Sequence, residues 1–124
     1  MDVTPIIPAG RQVIDSYGPS GFHVSGAGYE SAILVFPDAT VVWNVASFAE
    51  VSIEALRPVI EHGGIRILLL GCGRRTEFVL PALRQSLRGA GIVLDAMDTG
   101  AACRTYNILL SEERPVAAAL LPAR

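Results

Sequence analysis

Two predominantly apolar runs constrain the fold of this chain more than any other feature. They are IRILLLG at 65–71 and IVLDAM at 92–97. Such runs are typical of strands that are buried on both faces, as in parallel sheets. The segment between them, TEFVLPALRQSLRGAG at 76–91, has the pattern of a helix. Because parallel strands need a long crossover connection, we predict that 65–70 and 92–96 form adjacent parallel strands with a helix between them.

The C-terminal segments extend this unit along the chain. Helices are predicted at 52–64, which ends at the stop signal Gly63-Gly64, and at 98–110, and a last strand is predicted at 114–123. Pro58 predicts either a kink in the first of these helices or a fresh helix start at that point. Strands and helices then alternate, which favours right-handed crossovers in an α/β sheet.

The N-terminal half has shorter segments and more frequent turn residues. Short extended segments at 11–18, 21–26, 29–37 and 40–45 lie between turn residues. Connections this short do not allow crossovers, so they predict an antiparallel meander. The complete prediction is a single α/β domain over residues 1–124. It has a mixed β-sheet with an N-terminal β-meander and flanking helices.

Composition narrows the classes of function. Apolar residues make up 51% of the 124 residues, which is enough for a sizeable core. The net charge of −2 gives no basic surface for nucleic acid. No run reaches the roughly 18 apolar residues that span a bilayer, and no basic start of a secretory signal is seen. The two cysteines do not form a disulfide framework, so we expect a cytoplasmic location.

The turn Gly71-Cys72-Gly73 joins a buried strand to the next predicted helix. Such a turn can present backbone N–H groups to an anion, and Arg74 and Arg75 would add positive charge. The sequence matches neither the Walker loop nor the dinucleotide-binding fingerprint. The simpler interpretation, which we favour, is a tight turn followed by a helix that is capped at position 76 and has a proline at position 81 in its first turn.

The thiols and imidazoles are weaker candidates. Cys72 and Cys103 each follow a buried strand, so a redox pair or half of a metal site is conceivable on one edge of the sheet. Buried, inert thiols are the favoured alternative. His62 suits a helix C-terminus, and we interpret His23 as a half-exposed strand residue rather than a catalytic base.

The helix predicted at 98–110 carries an unusual polar stripe. At 100° per residue, Gly100, Arg104, Asn107 and Ser111 fall on one narrow face, and small or apolar residues cover nearly all the rest. Tyr106 points to the apolar side, so we predict a buried ring with a hydrogen-bonded hydroxyl. Arg104 and Asn107 are predicted to face a shallow pocket whose floor is the 71–73 turn, where α/β sheets usually hold ligands. A structural role for the stripe is the alternative, and we favour it.

Three segments carry a resemblance to a known family: IDSYGPSGFHVSG at 14–26, GCGRRTEFVLPAL at 71–83, and the chain from 91 to 121. They resemble the Mth-like family of small α/β domains of unknown function, which is related to a mitochondrial assembly factor of respiratory complex I. The resemblance implies a mixed sheet flanked by helices and a role in protein association without an established reaction. Cys72 departs from the Gly-Thr-Gly turn usual in relatives. The shared positions are Gly71, Gly73, Thr99, Ala102, Thr105, Tyr106 and Asn107.

Two hypotheses of function follow. The first, which we favour, is a non-enzymatic interaction or assembly module that binds protein partners, needs no cofactor or metal, and is a monomer or weak homodimer. The second is a small-molecule or anion-binding protein, with or without a catalysed reaction. Its site would lie at the 71–75 turn beside the polar stripe, formed by Gly71, Cys72, Gly73, Arg74, Arg104 and Asn107. The sequence does not combine a nucleophile, a base and an orienting group, which weighs against catalysis.

Overall fold

The computed structural model describes residue 7 and residues 9–124. Within that part of the chain, two β-sheets and three α-helices are formed, and a 3-10 helix lies at Phe48–Glu50. In chain order the strands and helices are β1 (Ile14–Gly18), β2 (Gly21–Val24), β3 (Ala27–Tyr29), β4 (Ile33–Val35), β5 (Thr40–Val42), α1 (Arg57–His62), β6 (Ile67–Gly71), α2 (Pro81–Gly89), β7 (Val93–Met97), α3 (Thr99–Ser111) and β8 (Val116–Leu120).

The larger sheet has five strands in the order β5-β4-β8-β6-β7. The two apolar runs form β6 and β7, which are adjacent and parallel, with Ile67 opposite Val93 and Gly71 opposite Met97. This confirms the prediction made from the runs. Strand β8 is parallel to β6 on its other side, and β4 and β5 are antiparallel to their neighbours, so the sheet is mixed.

The N-terminal meander forms a separate sheet of three antiparallel strands, β1-β2-β3. The prediction of one strand over 29–37 is wrong, because Tyr29 ends β3 and Ile33 begins β4 in the larger sheet. Strand β3 has only three residues and two of its positions are alanine and glycine, so no hydrophobic alternation marks it in the sequence.

Two helices start later than the sequence pattern indicates. Helix α1 begins at Arg57 with Pro58 in its first turn, so the fresh start is correct and the kink is not. Helix α2 begins at Pro81, and Leu80 before it is extended, with φ −62° and ψ 140°. Proline disfavours the helical conformation of the residue that precedes it, so the helix cannot include Leu80 and starts at Pro81. The predicted cap at Thr76 is therefore wrong, and residues 76–80 belong to neither a helix nor a strand.

The five-stranded sheet separates two hydrophobic clusters. Leu68 and Leu70 pack on one side, against Val59 of α1 and Leu87 of α2. On the other side, Leu69 packs with Tyr106 and other residues of α3 and with the meander. Successive residues of a strand point to opposite faces, which explains why β6 is apolar throughout, from Ile67 to Gly71. In the part of the chain that the structure describes, no helix is long and apolar enough to cross a membrane.

Candidate functional site

Thr99 ties together three elements at the carboxyl ends of the parallel strands. Its side chain is fully buried, its Oγ1 accepts the backbone N–H of Gly73 at 2.8 Å, and its hydroxyl donates to the carbonyl of Leu121 at 2.6 Å. The Thr99 backbone N–H donates to the Gly73 carbonyl at 2.8 Å. Asp98 caps the helix by accepting the Ala101 N–H at 2.9 Å. This end of α3 is thus locked to β6 and β8.

The Gly71-Cys72-Gly73 turn uses its backbone donors inside the protein. The Cys72 N–H donates to the Met97 carbonyl at 2.9 Å, and the Gly73 N–H is held by Thr99. A Cβ on Gly71 would lie 2.8 Å from the Leu120 side chain and 3.1 Å from Thr99, so only glycine fits there. The helix after the turn starts only at Pro81. The turn therefore does not present free N–H groups beside a helix N-terminus, as the anion-binding interpretation expected. Its N–H groups instead bind Met97 and Thr99 within the fold.

The polar stripe of α3 holds strand β1. Asn107 accepts the Ile14 N–H at 3.0 Å and donates to the Ile14 carbonyl at 2.8 Å, as a neighbouring strand would. The Tyr17 ring lies over Gly100, where an added Cβ would be 2.5 Å from its hydroxyl oxygen. Arg104 donates from its guanidinium to the Tyr17 hydroxyl at 3.1 Å. The stripe is a docking seam between the helix and the meander.

The single pocket expected from the helical projection is not formed. Arg104 and Asn107 line a cleft of about 360 Å³ together with Cys103 and residues 14–17 of β1. Cys72, Arg74 and Arg75 line other clefts, at the end of the sheet. The physical reason is that β1 lies against the polar face of α3 and separates it from the turn. Whether either cleft binds an anion stays a prediction.

Tyr106 is fully buried, as predicted, but its hydroxyl has no hydrogen-bond partner among the residues that the structure describes. The predicted hydrogen bond is therefore wrong. Burial raises the pKa of this phenol well above its ordinary value. Ala102 and Thr105, the other family positions on α3, are buried and half-buried respectively, so they pack the helix rather than present it to solvent.

The two thiols lie on opposite faces of the larger sheet. Cys72 packs in the cluster with α1 and α2, and Cys103 packs in the cluster with α3. Both are buried and free. Burial raises the pKa of Cys72 and raises that of Cys103 to about 12, so neither is a thiolate near neutral pH. The two thiols therefore do not form a redox pair. The described residues also hold no group of three potential metal ligands.

The two histidines have different surroundings. His62 ends α1, stacks on Phe36 with ring centroids 4.3 Å apart, and its Nε2 lies 2.7 Å from a carboxylate oxygen of Asp38. Burial acts to lower the pKa of His62, but the hydrogen bonds to Asp38 and to the Gly63 carbonyl raise it overall. His23 is exposed in β2, with Nδ1 3.3 Å from the Ser16 hydroxyl. No carboxylate is hydrogen-bonded to His23 among the described residues, so this pair lacks the orienting group of a catalytic triad.

A second surface lies at the carboxyl ends of β6 and β8. A cleft of about 630 Å³ is lined by Phe48, Cys72, Leu121 and Arg124 among others. An adjoining cleft of about 500 Å³ shares Cys72 and Arg124 and adds Arg74 and Arg75. Glu77 lines both. The only ion pair between described residues is that of His62 with Asp38, so these three arginines form none within that part of the chain.

Comparison with known proteins identifies the family. Residues 14–121 match the model of a family described as "Protein of unknown function (DUF498/DUF598)". The chain belongs to this family. Its members include an uncharacterised protein of Rhodobacter capsulatus that is 37% identical over 114 residues, which cover 92% of this chain and 87% of that protein.

Vertebrate relatives carry a more specific name. The protein of Danio rerio called NADH dehydrogenase [ubiquinone] 1 alpha subcomplex assembly factor 3 is 40% identical over 111 residues. The match covers 89% of this chain and 64% of the relative, so the chain spans less than two thirds of that protein. The name describes the relative, and the match places both proteins in one family.

Solved structures confirm the fold and the Mth-like resemblance. A crystal structure of a Bordetella parapertussis protein superposes with a TM-score of 0.85 at 34% identity, covering 93% of this chain and 99% of that one. A solution structure from Bordetella pertussis, described as a Mth938-like domain, gives 0.84 at 26% identity and covers 99% and 93%. The family is therefore a mixed α/β domain of this architecture.

Sequence reasoning found part of this geometry. It placed Thr99 and Asn107 on α3 and Arg74 and Arg75 at the turn. It missed the partners across the seam, because Asn107 and Ile14 are 93 residues apart in the chain. It also missed the exposed side chains of 76–80, because that stretch fits a helical pattern. Pro81 was the signal that could have shown Leu80 as extended and the helix as starting at position 81.

Proposed function

We propose that this chain acts by binding other proteins during the assembly of a membrane-bound respiratory complex, and that it catalyses no reaction. The observation that carries the proposal is the 40% identity, over 89% of the chain, to a relative named as an assembly factor of NADH dehydrogenase. The arrangement of α3 supports it, because the side chains of Thr99 and Asn107 are hydrogen-bonded to backbone groups of the protein itself. A reaction would need such groups free to meet a substrate.

Deletion of the gene in its native cell tests the proposal. Solubilised membranes from deleted, wild-type and complemented cells are compared on native gels stained for NADH dehydrogenase activity. We expect the deletion to reduce the fully assembled enzyme and to leave smaller subassemblies, and the wild-type gene to restore it. A fully assembled enzyme at normal abundance in the deleted cells would refute an assembly role.

Anion binding is the second candidate, and the cluster of Arg74, Arg75 and Arg124 favours it. Inorganic phosphate and succinate are suitable probes in a thermal-shift assay, since a ligand that binds only the folded state raises the melting temperature. Under the proposed function neither anion raises it by more than an equal ionic strength of chloride does. A specific rise that Arg74→Ala abolishes would favour the anion site instead.

A further inference from the structure

Residues 74–80 form a segment that belongs to neither a helix nor a strand; the chain bends at Arg74 and Arg75, and Leu80 is extended, with φ −62° and ψ 140°. Within the part of the chain that the structure describes, none of their backbone N–H groups donates to an oxygen atom, and none of the carbonyls of 74–79 accepts. The Glu77 N–H lies close enough to the Cys72 thiol to lower its pKa, although burial raises that pKa more strongly. Val79 is only 3% exposed, so the backbone groups that can meet a partner are those of the exposed residues 74–78, apart from the Glu77 N–H, together with the Leu80 N–H.

The same segment exposes the two most accessible large apolar side chains of the described residues. Phe78 is 75% exposed and Leu80 is 67% exposed, whereas Val79 between them is buried in the core at 3%. In an extended chain, side chains alternate between two sides. Val79 therefore anchors the segment, and its two neighbours project together into solvent beside the unpaired backbone.

The edge strand of the larger sheet shows what a protected edge looks like. Strand β7 is the last strand of the larger sheet, and the Arg84 guanidinium donates to the Leu94 carbonyl there at 2.7 Å. The charged Asp95 is also exposed on that strand. Natural edges are commonly blocked with such charges. The 74–80 segment carries charges of its own, but among the described residues no side-chain nitrogen or oxygen is hydrogen-bonded to its backbone, as the Arg84 guanidinium is to that of β7.

Charge selects the kind of partner. The chain as a whole has a net charge of −2, but the side chains that line the clefts beside this segment include Arg74, Arg75 and Arg124 and one acidic side chain, Glu77. The adjoining cleft has Phe48 and Leu121 in its wall and room for side chains, at about 630 Å³. A second copy of this chain paired about a two-fold axis would bring like charges together, which disfavours it.

We propose that residues 74–80 and the adjoining clefts bind an extended, acidic segment of a partner protein. The segment adds alongside 76–80 by backbone hydrogen bonds, places apolar side chains against Phe78 and Leu80, and sets carboxylates against Arg74 and Arg75. This inference rests on the proposed function, because the partner would be a protein met during assembly. An anionic membrane surface is the competing ligand, but it would make no use of the unpaired backbone.

The partner segment can be located by photo-crosslinking in the native cell. Benzoylphenylalanine replaces Phe78 in one version of the full chain, and Ile108, 48% exposed on α3, in the control version. We expect a crosslink from position 78 that is absent from position 108, and mass spectrometry should map it to a stretch of net negative charge. A crosslink to a second copy of the chain, to a basic stretch, or equally from both positions contradicts the proposal.

A synthetic peptide of the crosslinked stretch then tests the binding mode. Bound to the ¹⁵N-labelled chain, it should slow hydrogen exchange of the Thr76, Phe78 and Leu80 backbone N–H groups, because an added strand pairs with every second residue, and it should shift the resonances of 76–80. Reversing both charges with Arg74→Glu and Arg75→Glu should weaken binding about tenfold or more, whereas Arg114→Glu, at another exposed position, should change it less than about twofold. Binding to phosphatidylglycerol vesicles without binding to the peptide would overturn the inference in favour of a membrane.

Complementation separates failure of this inference from failure of the proposed function. Deleted cells receive either the wild-type gene or the Arg74→Glu, Arg75→Glu, Phe78→Asp variant, whose melting temperature is first shown to match wild type. We expect the variant not to restore assembly of the NADH dehydrogenase. If it restores assembly fully, the docking site is wrong and the assembly role stands. If the deletion itself has no effect, the assembly role fails, and the crosslink and peptide results still decide the docking site.

Discussion

Removing the hydroxyl of Tyr106 should stabilise this protein. Its oxygen is buried without a hydrogen-bond partner in the described part of the chain, and the residue is 0% exposed. Burying an unsatisfied hydroxyl destabilises a fold by about 1–3 kcal/mol. Tyr106→Phe removes that penalty but also removes the packing contacts of one atom, worth a few times roughly 0.1–0.2 kcal/mol. We therefore expect the free energy of unfolding to rise by about 1 kcal/mol.

Urea denaturation followed by circular dichroism measures this change. The midpoint should increase while the slope stays unchanged, since the same surface is exposed on unfolding. For a domain of this length, a gain of about 1 kcal/mol corresponds to a rise in melting temperature of roughly 4 °C. Tyr17→Phe is the matched control, because its hydroxyl accepts a hydrogen bond from Arg104 at a half-exposed site and its removal should not stabilise.

A loss of stability in Tyr106→Phe would refute this reasoning. It would mean that the hydroxyl donates to a partner that the fold needs, as the sequence pattern of α3 predicts. A loss of about 1–2 kcal/mol would fit a stranded buried acceptor. An unchanged midpoint would mean that the gained and lost contacts cancel, and would place the burial penalty below about 1 kcal/mol.

Three further predictions test other contacts of the site. Thr99→Val should lower the free energy of unfolding by about 2–4 kcal/mol in urea titrations, because the Gly73 N–H and the Leu121 carbonyl then lose their buried hydrogen-bond partner. Thr99→Ser, which keeps the hydroxyl, should retain most of the wild-type stability, and equal losses in the two variants would contradict the role of the hydroxyl. Gly100→Ala should destabilise the fold, despite the higher helix propensity of alanine, because its Cβ meets the Tyr17 ring. The loss of stability should vanish in a Tyr17→Ala background, and a loss that persists there would mean that the Tyr17 contact is not its cause. The raised pKa of His62 predicts a contribution to stability that is complete below the unfolded pKa near 6.5 and is lost as the pH rises through the folded value; urea midpoints between pH 5 and 8 should fall more in wild type than in His62→Phe, and parallel profiles would count against it.

The parts of the fold that are local in sequence could be predicted. The run that forms β6 is apolar throughout because both faces of that strand are covered, whereas β7, at the edge of the sheet, is apolar except for Asp95 and leaves Val93 and Asp95 exposed. Helix α3 was marked by Asp98 at its N-cap and by its apolar face. Both features depend on residues a few positions apart, so the sequence displays them directly.

The parts that depend on distant residues could not be predicted. The polar stripe of α3 binds β1 in the structure, but the same residues could equally face solvent or a ligand. No local sequence pattern distinguishes these arrangements. The same is true of Tyr106, whose surroundings are set by the meander and the sheet together. In residues 76–80 the apolar side chains Phe78, Val79 and Leu80 fit a helix equally well, and the extended backbone is enforced by burial of Val79 and by Pro81.

The most direct test of an assembly role is where the protein is found during biogenesis of the complex. An epitope-tagged chain expressed at its native level is followed by native gel electrophoresis, with denaturing gels in the second dimension, after a pulse of labelled amino acid. We expect the chain to migrate with subassemblies of the NADH dehydrogenase early in the chase and to be absent from the finished enzyme. Migration with the finished enzyme, or only as free protein at every time point, would contradict an assembly role.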